Sequence, residues 1–130
     1  MGKEPAKPME EVIRQDGRYP PDAFAFLHES LAKAVRDAHG ETPAEGQHHV
    51  AGKQICIAAR DLAIERWGLL ATAVLKRWNI RATIDFGNMV YLLIQHNVMH
   101  KTDEDSLEDF RDVYDFREAF SSSGQFELKE

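Results

Sequence analysis

Carboxylates are the most abundant residues in this chain that are able to do chemistry, and they are concentrated near its C-terminal end. Residues 101–130 contain ten Asp and Glu against four Lys and Arg, whereas residues 1–100 contain twelve of each, so the net charge of −6 arises from the last thirty residues. A negatively charged chain end repels the phosphate backbones of nucleic acids and attracts cationic surfaces through its summed electrostatic field. The expected partner is therefore a protein with a cationic surface, rather than a nucleic acid or a membrane.

Part of this acidic stretch resembles a calcium-binding loop. Asp103 and Asp105 stand at the first and third positions of an EF-hand pattern. That pattern also requires a glycine at the sixth position and a bidentate glutamate at the twelfth, where this chain has Glu108 and Tyr114. Leu107 replaces a ligand at the fifth position. The stretch is therefore interpreted as a solvated acidic loop without specific calcium binding.

Histidines provide two further candidates for a metal site. His48-His49 precedes a predicted helix, and adjacent side chains in an extended segment point in opposite directions, so they rarely share an ion. His96 and His100 are four residues apart and, with Asp103 or Glu104, would form a two-histidine, one-carboxylate set. Nothing in the sequence fixes a third ligand. We assign no metal and no cofactor, and leave metal binding by His96 and His100 open.

Covalent and acid–base catalysis find little support. The sequence contains neither a Gly-x-Ser-x-Gly elbow nor a Gly-rich phosphate loop. The carboxylate pairs Asp103/Asp105 and Asp112/Asp115 are expected to be solvated, whereas acid–base work needs one member desolvated. Cys56 is the one cysteine, and its apolar neighbours predict a small buried side chain. The chain is therefore predicted not to be an enzyme.

Hydrophobic periodicity predicts a mainly helical domain. A short helix from Met9 ends at Asp16-Gly17, and a longer one begins at Pro21 and is capped by Gly40. We expect two further helices over 52–67 and 69–78, separated by Gly68. Their apolar residues are predicted to be core: Trp67, Leu69, Leu70, Val74, Leu75 and Trp78.

The next helix is predicted over 83–97. Thr83 is the expected N-cap and Asn97 the expected stop. The segment is apolar on nearly all sides and contains no Lys or Arg, which is typical of a buried central helix.

The C-terminal region allows two structures. Residues 98–100 can pair with part of 113–116 as a β-hairpin whose loop is acidic. Alternatively, Ser106 to Asp109 fits a capping box, and Phe110, Val113, Tyr114, Arg117 and Phe120 recur at helical spacing. We favour the hairpin, because tertiary pairing can override local preference. The predicted fold is then a single compact, mainly α domain of about five helices with a short C-terminal β-hairpin, similar to a winged helix.

That fold invites a nucleic-acid-binding function, although the residues oppose it. A recognition helix needs donors for phosphates and base edges, and 83–97 contains no Lys or Arg. An acidic wing would also repel phosphates. The alternative function is therefore a nucleic-acid-binding regulator that uses the small basic cluster Lys76, Arg77 and Arg81.

Four segments carry a family resemblance: DGRYPPDAFAFL, ERWGLLATAVLKRW, IRATIDFGNMVYLLI and KTDEDSLEDFRDVYDFREAF. Together they span about residues 15–120, and the last is the most specific. They resemble a small bacterial family found in planctomycetes and verrucomicrobia that has no assigned activity. The resemblance implies one compact cytoplasmic bacterial domain and no catalytic residue.

The predicted organisation is a disordered tail over 1–8, one helical domain over 9–120 and a mobile acidic tail over 121–130. No apolar run approaches the length of a membrane span, so a cytoplasmic location is expected. The predicted function is a non-catalytic interaction or adaptor module with an acidic and aromatic docking surface. Its residues are Asp103, Glu104, Asp105, Glu108, Asp109, Phe110, Asp112, Tyr114 and Phe116.

Overall fold

The computed structural model describes residues 8–41, 49–96, 99 and 105–121, and the chain is mainly helical over these ranges. The helices are α1 (Met9–Asp16), α2 (Pro21–His39), α3 (Gly52–Trp67), α4 (Ala71–Arg77), α5 (Thr83–Gln95) and α6 (Phe116–Ala119). Two 3₁₀ turns, Gly68–Leu70 and Leu107–Phe110, complete the elements. Residues 1–7 of the predicted tail 1–8, residues 122–130 of the predicted tail 121–130, His48 and Asn97 lie outside the described residues.

The ends of the first helices follow the local signals in the sequence. Gly17 adopts a positive φ of 73° and donates its N–H to the Ile13 carbonyl, which ends α1. Pro21 occupies the first position of α2, and the Gly40 N–H closes that helix on the Arg36 carbonyl. These predictions are confirmed, because glycine and proline adopt the required backbone angles at little cost.

The core lies between α2, α3 and α5. Helix α2 contributes Phe24, Phe26 and Leu27, while α3 contributes small side chains such as Cys56 and Ala63. Small buried side chains let α3 pack closely on α2, which is the most extensive helix pair in the fold. Cys56 is fully buried, as its neighbours in the sequence predicted.

Helix α5 is the central helix that its composition predicted. It buries residues around most of its circumference: Thr83, Phe86, Gly87, Met89, Val90, Leu92 and Leu93. The predicted role of Thr83 as N-cap is wrong, because Ala82 occupies that position. The Asp85 carboxylate instead accepts the backbone N–H groups of Arg81 and Ala82, at 2.8 and 3.1 Å.

The junction between α3 and α4 also departs from the prediction. Helix α3 ends at Trp67 as expected, but Gly68 begins a 3₁₀ turn, and α4 starts at Ala71 rather than at residue 69. The turn points Leu69 and Leu70 outward, so they are 60% and 67% exposed instead of part of the core. Leu75 is buried, whereas Trp67 and Trp78 are half-buried and pack on Phe26.

The predicted β-hairpin is not present, since the described part of the chain contains no strand. Ser106 instead caps the 3₁₀ turn Leu107–Phe110, and Asp115 caps α6. The cap at Ser106 agrees with the capping-box alternative, but residues 111–115 are not helical, so the helical spacing from Phe110 to Phe120 does not produce one continuous helix. Residues 98 and 100 of the first proposed strand lie outside the described residues.

Candidate functional site: the acidic C-terminal segment

The described part of the acidic end, residues 105–121, lies across α3 and α5, and Phe110 fixes its position. Phe110 is 4% exposed and sits between two glycines, Gly52 at the start of α3 and Gly87 in α5. A Cβ on either glycine would lie 2.8 Å from a Phe110 carbon atom, which is too close for a real contact. The two glycines therefore leave the space that the Phe110 side chain fills, and this packing fixes the position of the segment.

Hydrogen bonds from the core hold the same segment. The Thr83 hydroxyl donates to the Phe110 carbonyl at 2.6 Å and accepts the Val113 N–H at 3.2 Å. The Tyr114 hydroxyl donates to the Cys56 carbonyl at 2.7 Å. Burial of the Tyr114 side chain raises the pKa of its hydroxyl, and burial raises the pKa of the Cys56 thiol to about 12. Both groups are therefore neutral structural groups at pH 7.

The aromatic residues of the predicted docking surface face the interior. Phe116 is 8% exposed and Phe120 is 3% exposed, while Tyr114 is half-buried. Their rings contact one another, with centroids 5.2–6.2 Å apart. Phe110 and Phe116 therefore anchor the segment instead of facing solvent, and Tyr114 is half-buried, so the carboxylates form most of the exposed part of the predicted docking surface.

The carboxylates remain on the outside, and several of them also shape the segment. Asp109 accepts the Ser106 N–H at 3.1 Å, and Asp115 accepts the Arg117 N–H at 2.7 Å. Glu108 pairs with Arg111 at 2.9 Å, which raises the pKa of that guanidinium. The solvent-exposed carboxylates are Glu108, Asp109, Asp112, Asp115 and Glu118, which we call the acidic surface.

Asp105 belongs to the predicted docking surface but differs from the five carboxylates of the acidic surface. It is half-buried, and its carboxylate contacts His49 Nε2 at 2.8 and 3.0 Å. It therefore links this segment to the chain just before α3. Asp103 and Glu104, the other two predicted members, lie outside the described residues.

The basic residues of the alternative function lie next to these carboxylates. Lys76, Arg77 and Arg81 are all exposed, at the end of α4 and in the connection to α5. Lys76 and Arg81 line an open groove of about 1010 Å³ together with Asp112, Asp115 and Glu118. The surface around the cluster is therefore of mixed sign rather than continuously basic.

The structure also bears on the possible metal site at His96 and His100 and on membrane-spanning helices. Within the described ranges, no group of three or more His, Cys, Asp or Glu side chains is placed to hold a metal ion. His96 is the C-cap residue of α5, and His100 lies outside those ranges. None of the helices described is long and apolar enough to cross a membrane.

Sequence reasoning missed the residues that position the site. Gly87 interrupts an apolar helix, where glycine costs about 1 kcal/mol relative to alanine, and such a glycine indicates a close approach of another group. The capping motif at Ser106 is a local signal and is visible in the sequence. Thr83 gave no such signal, because its hydroxyl has a partner 27 residues away.

Fold and site together define a mainly helical protein that carries an anchored, acidic C-terminal segment. No protein-family model, curated protein or solved structure matches the chain.

Proposed function

We propose that this protein is a non-catalytic interaction module whose acidic surface docks a protein with a cationic surface. The observation that carries the proposal is that five exposed carboxylates project from a segment whose backbone is held by the core. Complementary charge at such a surface accelerates encounter and selects the partner.

Anchoring of the segment is what makes it suitable for docking. Residues 105–120 contain only one 3₁₀ turn and the four-residue helix α6, and an unanchored segment of this kind would lose conformational freedom on binding. Here Phe110, Phe116 and Phe120 are already buried, and Thr83 and Tyr114 fix the backbone between them. The carboxylates are consequently preorganised, and less ordering entropy is lost when a partner binds.

The same exposure argues against acid–base catalysis by these residues. A carboxyl that transfers protons near neutral pH has its pKa raised by desolvation, which requires burial. The members of the acidic surface face water. Their position favours electrostatic attraction of a partner over chemistry on a substrate.

A nucleic-acid-binding regulator is the second candidate, because Lys76, Arg77 and Arg81 are exposed within six residues of one another. Nucleic-acid affinity depends mainly on phosphate neutralisation. The carboxylates that share the groove with Lys76 and Arg81 oppose it. The cluster is therefore the weaker basis for a function.

The test uses a variant that removes charge without removing a cap. Glu108→Gln, Asp112→Asn and Glu118→Gln together neutralise three exposed carboxylates and leave Asp109 and Asp115 in place. Asparagine suits position 112, whose φ of 51° lies in the left-handed region. The matched control neutralises three exposed carboxylates elsewhere, Glu10, Glu41 and Glu65, and so changes the net charge equally.

Immobilised wild-type protein, acidic-surface variant and control are compared in lysate capture at low and physiological salt. We expect the wild type and control to capture the same proteins, with capture reduced by salt and lost in the acidic-surface variant. Equal capture by all three, or no capture, would contradict the proposal. A mobility shift with DNA at micromolar concentration and a steep salt dependence would favour the nucleic-acid candidate instead.

A further inference from the structure

A second cavity lies between α2 and α5, and Phe110 is part of its lining. Its volume is about 280 Å³, near the lower end of the roughly 300–1,000 Å³ range of ligand sites. Leu31 and Val35 of α2 and Val90 and Ile94 of α5 give it an apolar wall. A cavity of this size and lining suits the hydrocarbon body of a small molecule.

Tyr91 contributes the polar feature of this cavity. Its side chain lines the wall, and its hydroxyl oxygen is buried without a hydrogen-bond partner among the described residues. A buried hydroxyl without a partner destabilises the fold, and such groups are rare in folded proteins. Burial raises the pKa of Tyr91, so the hydroxyl is neutral at pH 7 and its oxygen can accept a hydrogen bond.

Carboxylates determine the charge at the same end of the cavity. Asp105 and Asp109 line it, and both lie close enough to Tyr91 to raise its pKa further. His28 and His49 also line the cavity, and His49 contacts Asp105. With two carboxylates beside the unpartnered hydroxyl, a bound carboxylate would be repelled and a bound ammonium attracted.

We propose that the cavity between α2 and α5 binds a small hydrophobic amine, with its hydrocarbon body against Leu31, Val35 and Ile94 and its ammonium group beside Tyr91, Asp105 and Asp109. An ammonium has three donors and no acceptor, which matches an oxygen that lacks a donor next to two anionic acceptors. The apolar wall supplies burial for the body of the ligand. This site goes beyond the docking of a protein partner and does not depend on it.

The probe is n-hexylamine, compared with 1-hexanol and hexanoate, which share its hydrocarbon chain. Titration of the isotope-labelled protein, followed by amide chemical shifts, locates binding and gives the dissociation constant. We expect n-hexylamine to shift amides around Leu31, Val90 and Tyr91 and to bind about tenfold or more tightly than hexanoate. Equal affinity of the two would overturn the proposal, because the charges would then play no part.

Blocking the cavity separates binding there from attraction to the acidic surface. Ala32 is exposed and lines the cavity, so the side chain added by Ala32→Trp can occupy the cavity without replacing a core residue. Ala25→Trp, on an exposed position of the same helix outside the cavity, is the control. We expect about a tenfold loss of hexylamine affinity in A32W alone. Unchanged affinity in A32W would place the amine elsewhere and overturn the proposal.

A pair of tyrosine variants tests the hydroxyl. Tyr91→Phe removes a group without a partner, so the thermal midpoint of the free protein should stay the same or rise, while hexylamine affinity falls about tenfold. Tyr114→Phe removes a hydroxyl that donates to Cys56, so it should lower the midpoint and leave hexylamine affinity unchanged. A Y91F protein that binds the amine as the wild type does would contradict the assigned role of Tyr91.

Discussion

Thr83 links the helical core to the acidic segment through one hydroxyl group. Its Oγ1 donates to Phe110 and accepts from Val113, and the side chain is 1% exposed, so water cannot replace either bond. Thr83→Val has nearly the same shape and leaves both backbone groups unsatisfied. We expect it to lower the free energy of unfolding by about 1–3 kcal/mol in urea titrations. Thr83→Ser keeps the hydroxyl, and an equal loss in that variant would contradict the hydrogen-bond explanation.

Two leucines with opposite environments test which apolar residues form the core. Leu93 of α5 is 5% exposed, whereas Leu69 in the 3₁₀ turn is 60% exposed. Leu93→Ala should cost about 2–5 kcal/mol, because it removes buried methyl groups and leaves a cavity. Leu69→Ala should stay within about 0.5 kcal/mol of the wild type. Chemical denaturation of both variants checks this, and similar losses would mean that the turn is packed against another surface.

At the scale of elements, the packing of Phe110 against Gly52 and Gly87 connects α3, α5 and the 3₁₀ turn Leu107–Phe110. A Cβ added at Gly52 would lie 2.8 and 2.9 Å from the Phe110 ring atoms Cε1 and Cδ1. We expect Gly52→Ala to destabilise the protein by about 1–3 kcal/mol through overpacking. In a Phe110→Leu background, which removes the ring, the loss should be smaller by more than about 0.5 kcal/mol. Additive losses in the double-mutant cycle would show that the glycine and the ring are not coupled.

The same elements show why the sequence predicts one half of the fold better than the other. Helices α1 to α3 end where Gly17, Gly40 and Gly68 set the backbone, and such signals are local. The acidic segment depends on tertiary partners at long sequence separation, such as Thr83 and Cys56, which no local pattern reveals. The hairpin prediction failed there because the Asp115 cap breaks the proposed second strand.

Only the exposed carboxylates of the candidate site could be predicted from the sequence. Asp and Glu are rarely buried, so the exposure of Glu108, Asp112 and Glu118 follows from residue type alone. The aromatic residues were ambiguous, because Phe110 and Phe116 suit either a docking surface or a core. For Phe110 the two glycines opposite it decide between these roles, and their proximity is a property of the folded chain.

At the scale of the whole molecule, buried neutral hydroxyl and thiol groups link distant elements. The Tyr19 hydroxyl donates to Asp85 at 2.6 Å and so ties the turn before α2 to α5, and burial together with this bond raises the pKa of Tyr19 to about 12. The Tyr114 hydroxyl donates to the Cys56 carbonyl and so connects the acidic segment to α3, while the Cys56 thiol donates to the Thr83 carbonyl of α5. Burial raises the pKa of the Tyr114 hydroxyl and of the Cys56 thiol. All three groups are therefore harder to deprotonate in the folded protein than in the unfolded chain.

These shifts predict that the protein loses stability in alkaline solution. Ordinary pKa values are about 8.5 for cysteine and 10 for tyrosine, so from about pH 8.5 the unfolded chain releases protons that the folded protein retains. Because the unfolded state then binds fewer protons, the free energy of unfolding falls with rising pH, and it continues to fall towards pH 12, where Cys56 and Tyr19 ionise in the fold. Urea titrations from pH 7 to 11 should show a plateau below about pH 8 followed by a steady decline.

Tyr19→Phe should be less stable at pH 7, since it loses the bond to Asp85, but its decline should be shallower above pH 10 because one titrating group is gone. A wild-type protein with constant stability up to pH 11 would mean that these groups ionise as readily in the fold as in water, and that the acidic segment and the turn before α2 are not held by them.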